Sequence, residues 1–419
     1  MTSTWDSLQW RGLIAQSTDE EALKPSVDGG RMTIYAGFDP TAASLHFGNL
    51  VQLILLRHLQ QAGHRIICLV GGSTGQIGDP RPSSERILKT KEQTAEYVDK
   101  IQQQVRPFLN FDGDNGAIMV NNLDWTAPMS ALDFLRDVGK FFRVNQMIRK
   151  DAVAARLESQ EGISYTEFSY QILQGLDYLH LFREYGCTLQ TGGADQWGNL
   201  TAGVDLVHRA EGSTVHALTT PLITDSSGRK FGKSEGNAVW LSPEMTSPYA
   251  FYQYWINVED ASVVHLLKVF TDMTPDEVAE MEQATAERPA ARAAQRELAQ
   301  RVTTLVHGAH ATEQVEAASQ VLFGKADPAQ LEEQTLVDVT GELPAGEGQV
   351  GMSVVDALVA TELAASKGAA RRLIADGAVS VNNAKVTDAE QVLSESDFLH
   401  SRLALLKRGR KNMATLNLA

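Results

Sequence analysis

Residues 33–72, TIYAGFDPTAASLHFGNLVQLILLRHLQQAGHRIICLVGG, alternate between two kinds of apolar pattern, and that alternation limits what the chain can fold into. A short apolar run, MTIYAGF, precedes a helical pattern from about His46 to Ala62, which Gly63 closes as the usual residue just past a helix end. A second strand-like run, RIICLVGG, follows at once, and a third, GAIMVNN, lies near residue 120. Strands joined through a crossover helix lie parallel, so the expected fold class is α/β, with a doubly wound parallel sheet. Ligands of such sheets sit at the carboxyl ends of the strands, where both glycine-bearing stretches fall.

The 419 residues are too many for one compact core, so several domains are expected. Residues 130–185 read as helices inserted into the sheet pattern. From about Pro248 to Phe323 the chain is helical and alanine-rich, and residues 324–350 turn acidic with Gly and Pro, which suggests a linker. The remainder carries two short helical patterns and then AVSVNNAKVTD, where Asn382-Asn383 signals a tight hairpin. The segmentation expected is therefore 1–225 (with a helical insertion at about 125–165), 226–323, a linker 324–350, and 351–415.

A net charge of −15 argues against a general nucleic-acid binder. Residues 351–419 nevertheless carry 9 Lys and Arg against 7 Asp and Glu, enough for local phosphate contacts. Cys68 and Cys187 form no metal or disulfide pattern, and no structural metal is expected. The N-terminal stretch has no basic end followed by an apolar run, and no segment is apolar enough to span a membrane. A cytoplasmic location is the expectation.

In HFGN, His46 and Asn49 share the first turn of the helix, where backbone N–H groups and the positive dipole end point the same way. Gly48 leaves room for a flat ring on the backbone, so the turn suits a nucleotide; a plainly capped helix is the other reading. In TDSSGRKFGKS, Lys230 and Lys233 flank Phe231-Gly232 in a stretch of small residues. A loop carrying two ammonium groups to a polyphosphate and a solvated basic turn both fit. Tyr170, Gln174 and Asp177 stand four and three apart, on one helical face, which alone also fits a core helix with polar intruders.

Together HFGN and KFGKS, about 185 residues apart, resemble the two signature motifs of class I aminoacyl-tRNA synthetases. YAGFDPTAASLHFGN, TEFSYQILQGLDY and GGADQWGN narrow the resemblance to the tyrosyl-tRNA synthetases of bacteria, over nearly the whole chain. The resemblance implies a Rossmann-like catalytic domain, an α-helical anticodon-recognition domain and a small α+β RNA-binding domain like one in a small-subunit ribosomal protein. It implies that tyrosine and ATP, with magnesium accompanying the ATP, form an adenylate, and that the tyrosyl group then passes to tRNA.

Residue by residue, it implies that Tyr35 and Asp177 meet the substrate phenol, while Asp79, Tyr170 and Gln174 surround its ammonium. Gln196 would lie near the reacting carboxylate. Gly37, Asp39, Gly48, Gly193, Asp195 and Lys233 would bind ATP, with Gly193 and Asp195 at its ribose. His46, Asn49 and Thr41 would act on the phosphates from one side, and Lys230 and Lys233 from the other. Asn49 stands where the family signature has a second histidine. The loop after Asp79 reads PRPSSER without the lysine often found there, leaving Arg81 and Arg86 both open as its replacement. Arg371, Arg372, Lys407 and Arg408 would contact RNA. A homodimer is implied too, with Phe141 to Phe168 at its interface.

Three rivals remain. A tryptophanyl relative is disfavoured by Tyr35 with Asp177 and by the tail. A non-catalytic RNA-binding descendant has no need of the motif residues. A nucleotidyltransferase leaves residues 351–419 unexplained.

Overall fold

The computed structural model describes residues 3–81, 87–160, 162–224, 233–234, 237–322, 326–341, 343–409 and 412–419, with backbone alone at 151, 233, 234 and 237. The described chain divides into two compact units, Met1–Thr246 with Val258–Leu298, and Ser247–Asn257 with Ala299–Ala419.

The first unit is built on a six-stranded sheet. Its strands are β1 (Gln16–Ser17), β2 (Thr33–Phe38), β3 (Arg65–Val70), β4 (Ile118–Asn121), β5 (Cys187–Gly193) and β6 (His216–Thr220), in the spatial order β1-β6-β5-β2-β3-β4. Every pairing is parallel except that of β1 with β6. β3 is buried along all but its first residue, as a strand covered on both faces requires. The chain winds outward from β2 in one direction through β3 and β4, and in the other through β5 and β6. The switch point therefore lies between the carboxyl ends of β2 and β5, the crevice where doubly wound sheets bind ligands.

Helix α1 (Phe47–Gln61) makes the β2–β3 crossover, with ten of its residues buried. Helix α2 (Tyr165–Tyr185) leads into β5; Ser164 caps its start, and Gly186, at φ 62°, ends it in the left-handed conformation. Helix α3 (Trp197–Glu211) joins β5 to β6 and packs on α2. The inserted segment is not the continuous helical run its pattern suggests. It breaks into short turns at Ala131–Asp133, Phe134–Val138, Gly139–Phe141, Val144–Met147 and Asp151–Leu157. A two-stranded ribbon, β7 (Lys233–Ser234) with β8 (Asn237–Ala238), follows β6.

The second unit holds a sheet ordered β11-β10-β12-β13-β9, from β9 (Ala345–Gly348), β10 (Val379–Val381), β11 (Ala384–Lys385), β12 (Leu403–Arg408) and β13 (Asn412–Leu418). Helices Val354–Ala360 and Lys367–Ala375 bury their apolar faces with this sheet in one core. Asn382 and Asn383 both take positive φ, 47° and 65°, in a two-residue turn between β10 and β11.

The stretch read as a linker is instead structured. Residues Glu333–Thr340 form a helix, and β9 pairs in parallel with Thr415–Leu418. Leu331, Leu336 and Val339 bury against Ala318, Val321, Leu399, Leu403 and Leu405, so apolar spacing outweighs the acidic composition here. No described helix is long and apolar enough to cross a membrane.

Candidate active site

β2 points Tyr35 inward, where it is 1% exposed and meets Tyr178 edge-on with ring centroids 5.2 Å apart. Its hydroxyl is buried without a hydrogen-bond partner. Burial raises that hydroxyl's pKa well above its ordinary value, and the nearby Asp177 carboxyl raises it further.

Asp177 projects from α2, fully buried. Asn122 Nδ2 donates to its Oδ2 and Trp125 Nε1 to its Oδ1, each at 3.0 Å. Burial pushes this carboxyl from 3.8 up to about 8, and the two hydrogen bonds only partly oppose the shift. The orphaned phenol of Tyr35 and the buried acid form a polar end in an otherwise apolar cluster with Ile67, Leu69, Ile172 and Leu176.

One and two turns earlier on the same face of α2 stand Gln174, whose Oε1 is buried without a partner, and Tyr170. The Tyr170 hydroxyl donates to Asp39 Oδ2 at 2.7 Å, and Thr74 Oγ1 donates to Asp39 Oδ1 at 2.6 Å. Burial, then the carboxylates of Asp39 and Asp79 and more weakly Asp177, keep that hydroxyl protonated. Asp39, expected with the ATP residues, thus ties into this cluster. Asp79 accepts from Gln196 Nε2 at 3.1 Å and from Asn199 Nδ2 at 3.0 Å, and it pairs with Lys150 Nζ at 3.3 Å. Around this face of α2 stand an acid and the orphan Tyr35 hydroxyl at one end and carboxylates with polar neighbours at the other. That suits a ligand bearing a hydroxyl and a cation.

His46 is the N-cap of α1. Its Nδ1 accepts from the Gly48 amide at 3.0 Å, while its own amide donates to Asn49 Oδ1 at 3.1 Å. The flat ring expected over Gly48 is therefore, in this conformation, the His46 imidazole. A Cβ at position 48 would lie 2.9 Å from that ring's Cε1, so a larger residue there would push the imidazole off its cap. The amide of Asn49 is also spent, on the His46 carbonyl at 2.9 Å. The first-turn amides are thus not free as the sequence reading had them, and a phosphate gains the Gly48 amide only by displacing the imidazole.

A strap closes over this turn. Trp240 bridges His46 in antiparallel fashion, Leu241 N–H donates to the Leu45 carbonyl at 2.9 Å, and Ser242 N–H donates to Ser44 Oγ at 2.9 Å. Lys233 pairs with Ala238, two residues before Trp240, which keeps its Cα within about 18 Å of that of His46. Lys230 and Arg86 lie outside the described residues, as does the side chain of Lys233.

Gly37, one residue before the end of β2, and Gly193, the last of β5, lie on either side of the switch point. Thr41 is exposed beyond β2, and Asp195 is exposed in the turn before α3. Sequence reasoning missed Thr74, Asn122, Trp125, Lys150 and Asn199. For Asn122 and Trp125 the signal was a polar tail, NNLDW, at the carboxyl end of a predicted strand, and for Asn199 its place at the end of GGADQWGN.

Of the basic residues expected on RNA, Lys407 buries its charge and Arg408 is half-buried. Lys407 is 8% exposed, and its Nζ donates at 2.9 Å to the carbonyl of Leu322, at the end of a helix, where the last carbonyls have no intrahelical partner. Arg408 donates to the Leu363 carbonyl at 2.7 Å. Arg371 and Arg372 are exposed on their helix, and residues 410–411 of the same basic run lie outside the described residues.

Residues 28–324 match the family described as tRNA synthetases class I (W and Y), and residues 336–416 match the tyrosine–tRNA ligase SYY-like C-terminal domain. A curated tyrosine–tRNA ligase of Streptomyces coelicolor is 56% identical over 419 residues, 100% of this chain and 99% of that protein. One of Leifsonia xyli is 58% identical over 413 residues, 98% and 93% of the respective chains. Among solved structures, a C-terminally truncated mitochondrial tyrosyl-tRNA synthetase of Coccidioides posadasii superposes with a TM-score of 0.67 at 30% identity. The match covers 75% of this chain and 91% of that one.

Proposed function

This chain belongs to the class I tyrosine–tRNA ligases, and on that premise we propose how its residues divide the work. The reaction runs in two steps. The tyrosine carboxylate attacks the α-phosphorus of ATP and expels pyrophosphate; a ribose hydroxyl at the 3′ end of tRNA(Tyr) then attacks the acyl carbon and expels AMP.

The substrate phenol enters the end of the pocket formed by Tyr35 and Asp177. It accepts from the Tyr35 hydroxyl and donates to the ionised Asp177 carboxylate, satisfying both groups. The observation that carries this reading is the buried, partnerless hydroxyl of Tyr35 beside an acid that burial holds near 8. A buried polar pair of this kind is costly unless a ligand completes it. An indole N–H can donate to Asp177 but accepts nothing from Tyr35, which favours tyrosine over tryptophan. The substrate ammonium meets Asp79, Tyr170 and Gln174, and Gln196 lies toward the carboxylate.

The nucleophile is ionised already, so the first step needs no protein base. The protein aligns the reactants and stabilises charge growing on the pyrophosphate. ATP enters as its magnesium complex between Gly37 and Gly193, with Asp195 at the ribose. His46 leaves its cap on Gly48 to meet the phosphates together with Thr41 and Asn49, and Lys230 and Lys233 close from the other side. Arg371 and Arg372 contact the tRNA backbone.

The cytoplasm is the site of action. A second copy of the chain covers the inserted segment, where Leu132, Leu135, Val144 and Ile148 are exposed, Leu132 by 77%. ATP–pyrophosphate exchange with tyrosine, with tryptophan and with no amino acid, followed by tRNA charging, tests the assignment. Exchange driven by tyrosine alone supports it, and equal exchange with tryptophan overturns it.

A further inference from the structure

Asp79, the carboxylate that the proposed function offers to the substrate ammonium, is paired with a cation of the chain itself. Lys150 Nζ lies 3.3 Å from Asp79 Oδ1 and also contacts Asn199 Oδ1. Asn199 Nδ2 donates to Asp79 Oδ1 at 3.0 Å, and Gln196 Nε2 donates to Oδ2 at 3.1 Å. The Lys150 side chain is 13% exposed and that of Asp79 19%, so water screens the pair only weakly.

The route of the lysine stem is shaped as well. Lys150 precedes the helix Asp151–Leu157 without capping it through its side chain. Its Cγ runs over α3 at Gly198, where a Cβ would sit 3.4 Å from it. Groups from two separate stretches of chain thus converge on one ammonium, and its stem packs over the backbone of α3 on the way.

We infer that Lys150 is the internal counter-ion of Asp79, occupying in the empty enzyme the place the ammonium of tyrosine takes, so that binding the amino acid requires Lys150 to withdraw. The inference rests on the reading of Asp79 as the ammonium partner. Two ammonium groups crowded onto one shielded carboxylate repel each other, so the substrate and the lysine compete. Lys150 keeps Asp79 neutralised while the pocket is empty, and it sets how tightly an amine-bearing ligand binds. A phenolic ligand lacking the amine leaves the Lys150–Asp79 pair undisturbed and gains from it.

Dissociation constants for three ligands test this in the intact protein: tyrosine, tyramine, and 3-(4-hydroxyphenyl)propionate, which has the carboxylate but no amine. In K150M, tyrosine and tyramine are expected to bind about threefold to tenfold more tightly, and the propionate more weakly. K150R, which keeps the charge, restores the wild-type order; K150Q serves as the neutral variant should K150M not fold. Ligands that shift together in the neutral variant, or not at all, overturn the inference. D79N separately tests the reading beneath it, by weakening tyrosine and tyramine but not the propionate. If D79N splits the ligands and K150M does not, the inference alone fails; if D79N produces no split, the assignment of Asp79 fails with it.

Discussion

The indole Nε1 of Trp125 donates to Asp177 Oδ1 at 3.0 Å, joining a short turn after β4 to the acid in the middle of α2. This bond favours the ionised carboxylate in a place where burial opposes it. Trp125→Phe removes the donor and keeps most of the ring. It should raise the KM for tyrosine about threefold to tenfold and move the pH dependence of tyrosine binding upward, with kcat little changed. A KM change with an unmoved pH profile would leave Trp125 only a packing role.

Asp177→Ala takes away the group that receives the phenol. The expected result is a rise in the KM for tyrosine of at least about tenfold, with a comparable loss of preference over phenylalanine. Pyrophosphate exchange with both amino acids measures it. Unchanged values for both would remove Asp177 from the pocket.

The same acid gives a stability signature. Its carboxyl lies at about 8 in the folded protein against an ordinary value of 3.8. Between those limits the folded chain holds a proton that the unfolded chain has lost. Stability of the unliganded protein therefore falls as pH rises through that window. Thermal unfolding across it should show a slope that Asp177→Asn flattens; an identical slope in the variant means the acid is ionised throughout. Tyrosine binding near neutral pH should also release a proton, read by calorimetry in buffers of different ionisation enthalpy.

The basic residues of the second unit separate into two kinds. Arg371→Glu together with Arg372→Glu should weaken tRNA charging, more so at low salt, and leave adenylate formation intact. Lys407→Ala should instead lower the thermal stability of that unit by leaving the Leu322 carbonyl unpaired. A strong charging defect in Lys407→Ala at full stability would contradict its buried role.

What could be read from the sequence follows from the range of the underlying rule. Helical period is local, so the cap at His46 and the shared face of Tyr170, Gln174 and Asp177 appear where the spacing puts them. The βαβ alternation likewise yields the parallel sheet and, with it, the crevice between Gly37 and Gly193. Asn122, Trp125 and Thr74 were not legible, because their partners lie 35 to 55 residues away and meet only through sheet order. Lys407 misled for a related reason. A lysine in a basic run reads as solvated, yet β12 is buried from Leu403 through Lys407 and the nearby helix end offers a carbonyl. Acidic composition hid Leu336 and Val339 in the supposed linker, although their spacing is that of a buried helical face.

The most direct test is a double-mutant cycle between His46 and Lys233, read by single-turnover adenylate formation. If both side chains act on one triphosphate, each alanine variant slows the chemical step far more than it weakens ATP binding. The double variant then loses less than the product of the two, with a coupling above about 0.5 kcal/mol. Losses that multiply independently, or single variants that change only ATP affinity at an unaltered chemical rate, would contradict the account.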